Sequence, residues 1–186
     1  IACVTGLSRS AERSLYKAYA AAALRDGEIW VGSINGTIHA VALWIRPGKE
    51  EPSLAQPDYL DLVSEDTRHW ISHHFALKYR ELYVASYAAG PMIRTQSWHL
   101  RFIGVEPQQQ RQGLGKALIE AIIRDVSSCS SEPSTSCTRL GPAFPFAVYF
   151  FQRLGFAHRG VKNFVSHRGG FPLWCLLREP SAVTRA

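Results

Sequence analysis

The 186-residue chain contains no apolar run of 18 residues or more, so no segment reads as a transmembrane helix and no membrane partner is expected. Cysteine is sparse: Cys3, Cys129, Cys137 and Cys175 include no CxxC pair, which removes the usual spacing of a zinc or redox site. Four cysteines are also too few for a disulfide scaffold at this length, and they read as reduced thiols of an intracellular, cytoplasmic protein. Lysine supplies only 5 of the 21 basic residues and arginine 16, and no two of them are adjacent. The net charge of +6 (pI about 9.4) is therefore dispersed, without the basic cluster of a nucleic-acid binder, and no nucleic-acid partner is expected. A scattered positive field suits small polyanionic ligands instead. Ile1–Gly6 is too short for the apolar region of a secretory signal. The chain opens at Ile1 rather than Met, which leaves room for native residues ahead of it.

A hydrophobic content of 46% with 11% aromatics is enough for a sizeable core, and the length predicts one domain over residues 1–186. Ser10–Leu24 has Leu15, Ala18, Tyr19 and Ala22 on one helical face. Glu28–Ile34 and Thr37–Ile45 are β-rich runs around Asn35-Gly36, a strong hairpin signal. Both runs are apolar at nearly every position, which predicts a hairpin buried on both faces. Tyr59–Tyr87 reads as helix rich in aromatics and His, and Trp98–Val105 as a strand. Gly113–Val126 is an amphipathic helix with Leu118, Ile119, Ile122, Ile123 and Val126 inward. Cys137–Leu140 suggests a short strand in a Ser/Pro-rich stretch. Phe146–Leu154 is a short helix ending at Gly155, and Gly160–His167 and Phe171–Arg178 are closing strands. The order indicates an α/β domain with a mixed sheet.

The chemistry-bearing segment runs from Val105 through Glu106-Pro107 to Gln110-Arg111-Gln112-Gly113-Leu114-Gly115-Lys116-Ala117. A strand enters a glycine-containing turn that opens a helix, so free amides and the positive end of a helix dipole face one spot. That is an anion site. Gly113 and Gly115 allow a phosphate to approach the backbone, and Arg111 and Lys116 add charge. The letters fail as a P-loop, because Ala117 follows Gly115-Lys116 and Gln110 stands five before Gly115. They fail as GxGxxG because Leu118 holds the third position.

Gln110-x-x-Gly113-x-Gly115, after a strand and Val-x-Pro, resembles the acetyl-CoA motif of the GNAT superfamily of N-acetyltransferases. His99–Val105 resembles its central strand. Ala147 with Phe151-Gln152-Arg153-Leu154-Gly155-Phe156 resembles its later helix, patterned Ala-x-x-x-Tyr-x-x-x-Gly-Phe. The resemblance implies a mostly antiparallel mixed sheet flanked by helices and splayed at the central strand. It implies acetyl-CoA as co-substrate, no metal, and an amine acceptor as the other partner, in a monomer or homodimer. The diphosphate would rest on amides from Arg111 through Gln112, Gly113, Leu114, Gly115 and Lys116 to Ala117. The pantetheine arm would pair with Ile103, Gly104 and Val105, whose backbone N–H would polarise the thioester carbonyl, and Phe151 would line the thiol end. The amine would attack directly, which calls for a base and an acid.

The family's usual Tyr acid is Phe151 here, and an Asn often found seven residues earlier is Phe144. Tyr149 is the nearest alternative hydroxyl, turned about 200° from Phe151 on a helix. His99 is the candidate base: arylalkylamine acetyltransferases carry His there and another His where this chain has Arg101. A period of two would put His99 on one face with Arg101 and Ile103. Glu106 is a second candidate. His69, His73 and His74 have helical spacing, but Trp70 stands where HExxH needs Glu, so no metal site is read. Transfer to a small-molecule amine is the leading expectation. A catalytically weak acyl-CoA-binding sensor and a protein N-acetyltransferase are the alternatives.

Overall fold

A computed structural model of the chain describes residues 2–49, 57–129, 135–140, 145–167 and 169–179. Helices α1 (Ala2–Thr5) and α2 (Arg9–Asp26) lead into strands β1 (Gly27–Ile34) and β2 (Thr37–Ile45). Next come α3 (Pro57–Leu60), α4 (Glu65–Trp70) and α5 (Ala76–Ser86), the last two joined by a π-helical turn at Ile71–Phe75. A 3₁₀ turn (Gly90–Met92) and α6 (Ile93–Gln96) precede β3 (Ser97–Val105). Then follow α7 (Leu114–Cys129), β4 (Thr135–Leu140), α8 (Pro145–Gln152), β5 (Ala157–Ser166) and β6 (Gly169–Arg178). The six strands form one sheet in the order β1-β2-β3-β4-β6-β5, antiparallel except where β3 meets β4. No helix among the described residues is long and apolar enough to cross a membrane.

Local chemistry accounts for the elements. Ser8 caps α2 through a 3.2 Å bond from the Ala11 amide, and Ser64 caps α4 through the Thr67 amide. Asn35 and Gly36 adopt the positive φ values (50° and 81°) of a tight hairpin turn. The hairpin is not buried on both faces as its letters predict. Among the described residues β1 is a sheet edge with a neighbour on one side only, and burial fades toward the turn: Val31 is 50% and Ile38 61% exposed, while Ala42–Ile45 are buried.

The sheet carries helices on both faces. On one, α7 and α8 cover Ala42, Trp44, Leu100 and Leu176. On the other, α2 covers Leu43 and Ile45. The α4–α5 stretch packs Phe75, Tyr79 and Tyr83 against Phe164 and Phe171. The aromatics of Tyr59–Tyr87 are thus mostly core, with Tyr79 donating to the Tyr83 hydroxyl at 3.1 Å. Against β2, β3 contains an extra residue: Phe102 faces Leu43 and Leu100 faces Trp44, leaving Arg101 as a bulge.

The α2–β1 junction leaves no room for a side chain at Gly27, where a Cβ would stand 1.8 Å from the Trp44 carbonyl oxygen. Gly27→Ala is expected to cost about 1–3 kcal/mol of unfolding free energy, read as a lower urea midpoint. An unchanged midpoint would exclude this close approach.

Candidate functional site

β3 and β4 run together only from Ser97↔Thr135 to Leu100↔Thr138. Beyond that point β4 stays with β6, through Arg139↔Cys175 and Leu140↔Trp174, while β3 stays with β2 as far as Ala40↔Val105. The sheet therefore opens beside Ile103–Val105. Backbone direction in the gap follows from the ladder. The Glu106 amide donates to the His39 carbonyl on the β2 side at 2.8 Å. Successive residues of a strand direct their amides to opposite edges, so those of Val105 and Ile103 face away from β2, into the gap.

The turn after β3 closes the gap at one end. The Gln110 side-chain amide donates to the Val105 carbonyl at 3.1 Å and ties the turn to the strand end. Arg111 (φ 61°) and Gly113 (φ 91°) both take the left-handed region, which folds successive amides into a concave nest ahead of α7. A Cβ on Gly113 would meet nothing within 4 Å, so the space over the nest is open. The cradle ends one residue earlier than the sequence suggests. The Ala117 amide donates to the Gly113 carbonyl at 2.9 Å as the first helical bond of α7, and Ala117 does not line the cleft.

Gap and nest open into one cleft of about 1280 Å³ between α7 and α8. Ile103, Gly104, Val105, Gln110, Arg111, Gly113, Leu114, Gly115 and Lys116, all candidate coenzyme contacts from the sequence, line it. Gln112 does not; its side chain turns back to the Gln108 carbonyl at 3.2 Å. Five basic residues line the cleft (Arg111, Lys116, Arg124, Arg153, Arg178) against one acid, Glu120, which sits 3.6 Å from Lys116. Phe150 forms the opposite wall, its ring 3.6 Å from where a Gly115 Cβ would lie. The last three arginines and Phe150 were missed in the sequence. The 116/120/124 stripe on α7 and the 149/150/153 face of α8 carry the helical spacing that marks Arg124, Phe150 and Arg153, whereas Arg178 at the end of β6 has no such signal.

Phe151 does not reach the cleft. The end of α8 is a Schellman motif: Phe156 N–H donates to Phe151 O at 3.1 Å, Gly155 N–H donates to Gln152 O at 3.0 Å, and Gly155 has φ 85°. Its accompanying apolar contact is Phe156 on Phe151, with centroids 5.4 Å apart, and Phe151 is 1% exposed. That motif assigns the ring to the core. Tyr149, on the opposite side of α8, is 65% exposed and supplies the one hydroxyl among the described cleft-lining residues. Phe144 lies outside the described residues.

The bulge also corrects the face assigned to His99. It shifts the alternation, so Ile103 pairs with Ala42 on the α7 side, whereas His99 pairs with Ile45 on the α2 side. His99 is 1% exposed and does not line the cleft. Arg101 stacks 3.7 Å over the Tyr19 ring, so it too turns toward α2. Nearby, burial and then Glu12 push the Tyr16 hydroxyl up to about 12, and burial raises Tyr59, so both stay protonated donors. Glu106 is hydrogen-bonded to the His39 ring at 2.5 Å and stands outside the cleft lining. His69 and His73 stack with centroids 4.2 Å apart on an exposed helix face. Among the described residues no group of three or more metal-ligating side chains converges.

The description "Acetyltransferase (GNAT) domain" belongs to the family model that matches residues 61–168, more than half of the chain. Among solved structures, arylalkylamine N-acetyltransferase 2 from Aedes aegypti aligns with TM-score 0.65 at 17% identity, covering 94% of this chain and 87% of that one. The ribosomal-protein-S18-alanine N-acetyltransferase from Escherichia coli aligns with TM-score 0.53 at 15% identity, covering 98% and 89%. An agmatine N-acetyltransferase aligns with TM-score 0.56 at 15% identity, covering 95% and 86%. At such identities these structures establish a shared fold. No curated protein matches the sequence. With the split sheet, the amide nest and the domain match in agreement, the chain belongs to the GNAT acetyltransferase family.

Proposed function

We propose that this chain is an acetyl-CoA-dependent N-acetyltransferase that moves an acetyl group to the primary amine of a small molecule by direct attack. The observation that carries the reading is the junction of a cationic amide nest with an open strand edge in one cleft. Acetyl-CoA would supply the activated thioester. The amides between Arg111 and Lys116 would hold its diphosphate, aided by the two side-chain charges. The Ile103 and Val105 amides would bind the pantetheine arm as an added strand and polarise the thioester carbonyl. Fold neighbours named for arylalkylamine and agmatine, with TM-scores of 0.65 and 0.56, support a small-amine acceptor, and the one named for ribosomal-protein-S18-alanine, at 0.53, supports the protein alternative.

We assign the acceptor to the α2 side of the gap, because the α7 side is the donor cleft. His99 lies on that side and is our candidate to accept the ammonium proton. With 1% exposure it needs the entering acceptor, or a water, to open a path. A thiolate leaves readily near neutral pH, so the core position of Phe151 does not stop the transfer. Tyr149 is the available proton donor at the cleft. The buried Phe151 also favours a second reading, an acyl-CoA sensor with little turnover.

Calorimetric titration with acetyl-CoA, followed by thiol release with a panel of amines, separates these readings. Binding with amine-dependent release is expected. Binding without release supports the sensor, and no binding removes both. Gly113→Glu should abolish CoA binding while leaving the circular dichroism spectrum intact, since its side chain enters open space and opposes the diphosphate; retained binding would dismiss the nest as the anion site. His99→Ala should depress turnover more at low pH, where the amine is protonated, than at high pH, where it is already neutral. A uniform loss would make His99 structural. Phe151→Tyr should destabilise the fold by about 1–3 kcal/mol through a buried, unsatisfied hydroxyl, without raising turnover. A gain in turnover would mean that this position does reach the thiol.

A further inference from the structure

A half-buried carboxylate without a charged partner stands on the α2 side of the gap. Asp26, Glu28 and Glu120 are also half-buried, and each faces an arginine or lysine, at 2.7, 3.0 and 3.6 Å. Among the described residues Glu12 pairs with no such cation. The chain has 21 basic residues against 15 acids, so a shortage of cations does not explain this. The Tyr16 hydroxyl, one turn later on α2, holds the Glu12 carboxylate by a hydrogen bond. Tyr16 in turn sets its ring edge-on to Phe102, with centroids 5.1 Å apart and planes at 65°. The Phe102 ring lies along β3 over Gly104, where a Cβ would stand 3.1 Å from ring atoms Cε1 and Cζ. Gly104 also lines the cleft. One thickness of backbone therefore separates the Phe102 ring from the cleft, and that backbone is the open edge of the sheet.

The direction of α2 fixes where Glu12 stands. Arg101 lies over Tyr19 and Phe102 beside Tyr16, so α2 runs against β3. Glu12 is about 6 Å further along the helix axis than Tyr16, toward Gly104 and Val105 at the mouth of the gap. Phenyl ring, phenol and carboxylate thus form a strip that begins at the open edge and ends in a negative charge. Ring face and carboxylate both attract a cation. An amine nitrogen cannot at once pair with Glu12 as an ammonium and attack a thioester as a neutral base. Two nitrogens on one chain divide those tasks.

Resting on the transferase reading and its α2-side acceptor, we propose that Glu12, Tyr16 and Phe102 select an acceptor that carries a second amine, an α,ω-diamine. The far ammonium pairs with Glu12 and the methylene chain crosses the Phe102 ring. The near amine, neutral, forms the new C–N bond and gives up a proton as the C–S bond breaks and the coenzyme thiol leaves. The mono-acetylated product turned end for end presents an amide, not an ammonium, to Glu12, so transfer stops after one acetyl group.

The test is steady-state thiol release from acetyl-CoA by the full chain with putrescine, butylamine and phenethylamine. The wild type is expected to show a kcat/KM at least about tenfold higher for putrescine than for butylamine, the scale of one charge-assisted contact, and to yield only the mono-acetylated product. In E12Q that ratio is expected to fall to the statistical factor of two equal amino groups, through a higher KM for putrescine rather than a lower kcat. Equal rates for putrescine and butylamine in the wild type, or a preference for phenethylamine over putrescine, overturn the diamine site and leave the transferase reading intact. A parallel loss for both alkylamines in a folded E12Q also overturns it, because Glu12 would then serve the fold or the chemistry and not the choice of acceptor. No thiol release with any amine removes the transferase reading and the diamine site with it. If E12Q does not fold, Y16F decides: it unties the carboxylate, and the preference for putrescine is expected to shrink. An undiminished preference there overturns the strip.

Discussion

Every property of the site descends from the parting of β3 and β4. A strand buried in a sheet has both backbone edges paired, yet β3 loses its β4 partner after Leu100 and keeps β2 to Val105. Hydrogen-bonding groups on that edge are strong and demand partners. One of them, the Val105 carbonyl, is met by the Gln110 side chain, so the same interaction that satisfies the strand end also anchors the turn ahead of α7. The remaining edge amides face the cleft and can be met by an extended ligand. Strand edge and nest are thereby held in one rigid frame, the arrangement that places a bound group at a defined distance from a phosphate.

Charge is distributed to suit that frame. Helix α7 has no acidic residue in its first turn, so nothing neutralises the positive end of its dipole at the nest. The one cleft-lining acid, Glu120, sits a turn further on and pairs with Lys116. Packing reinforces the geometry: Leu114 rests against the β1–β2 hairpin at Gly32, where a Cβ would come within 3.4 Å of it. The start of α7 is therefore held by the sheet beneath it as well as by the loop above.

The end of α8 illustrates how a structural motif can displace a chemical one. Gly155 and Phe156 are the letters of a family pattern, and they are also the letters of a helix stop. In this chain the helix stop uses Phe151 as the apolar partner of Phe156, and a ring so committed has no need of a hydroxyl. The bulge at Arg101 acts similarly on β3. One extra residue turns Ile103 and Val105 to the α7 face and Arg101 to Tyr19, dividing the strand between the two sides of the sheet.

Much of the fold was legible in the letters because its causes are local. Asn35-Gly36 makes a turn by backbone preference, the Leu118–Val126 stripe follows the helical period, and Gly155 ends a helix by accepting a positive φ. The glycine-containing turn ahead of α7 was legible for the same reason: glycine spacing and a strand-to-helix transition are short-range facts. Burial of the hairpin, the face of His99, the withdrawal of Phe151 and the meeting of Arg124, Arg153 and Arg178 were not. Each depends on which distant segment lies alongside: β1 has no outer neighbour, β3 gains its bulge against β2, Phe151 packs within a core built from several elements, and the three arginines come from α7, α8 and β6. The sequence by itself determined the elements and the glycine-containing turn ahead of α7; tertiary structure decided which side chains share a surface, because a one-residue change in strand register or a half-turn of helix moves a side chain to the opposite face at no local cost.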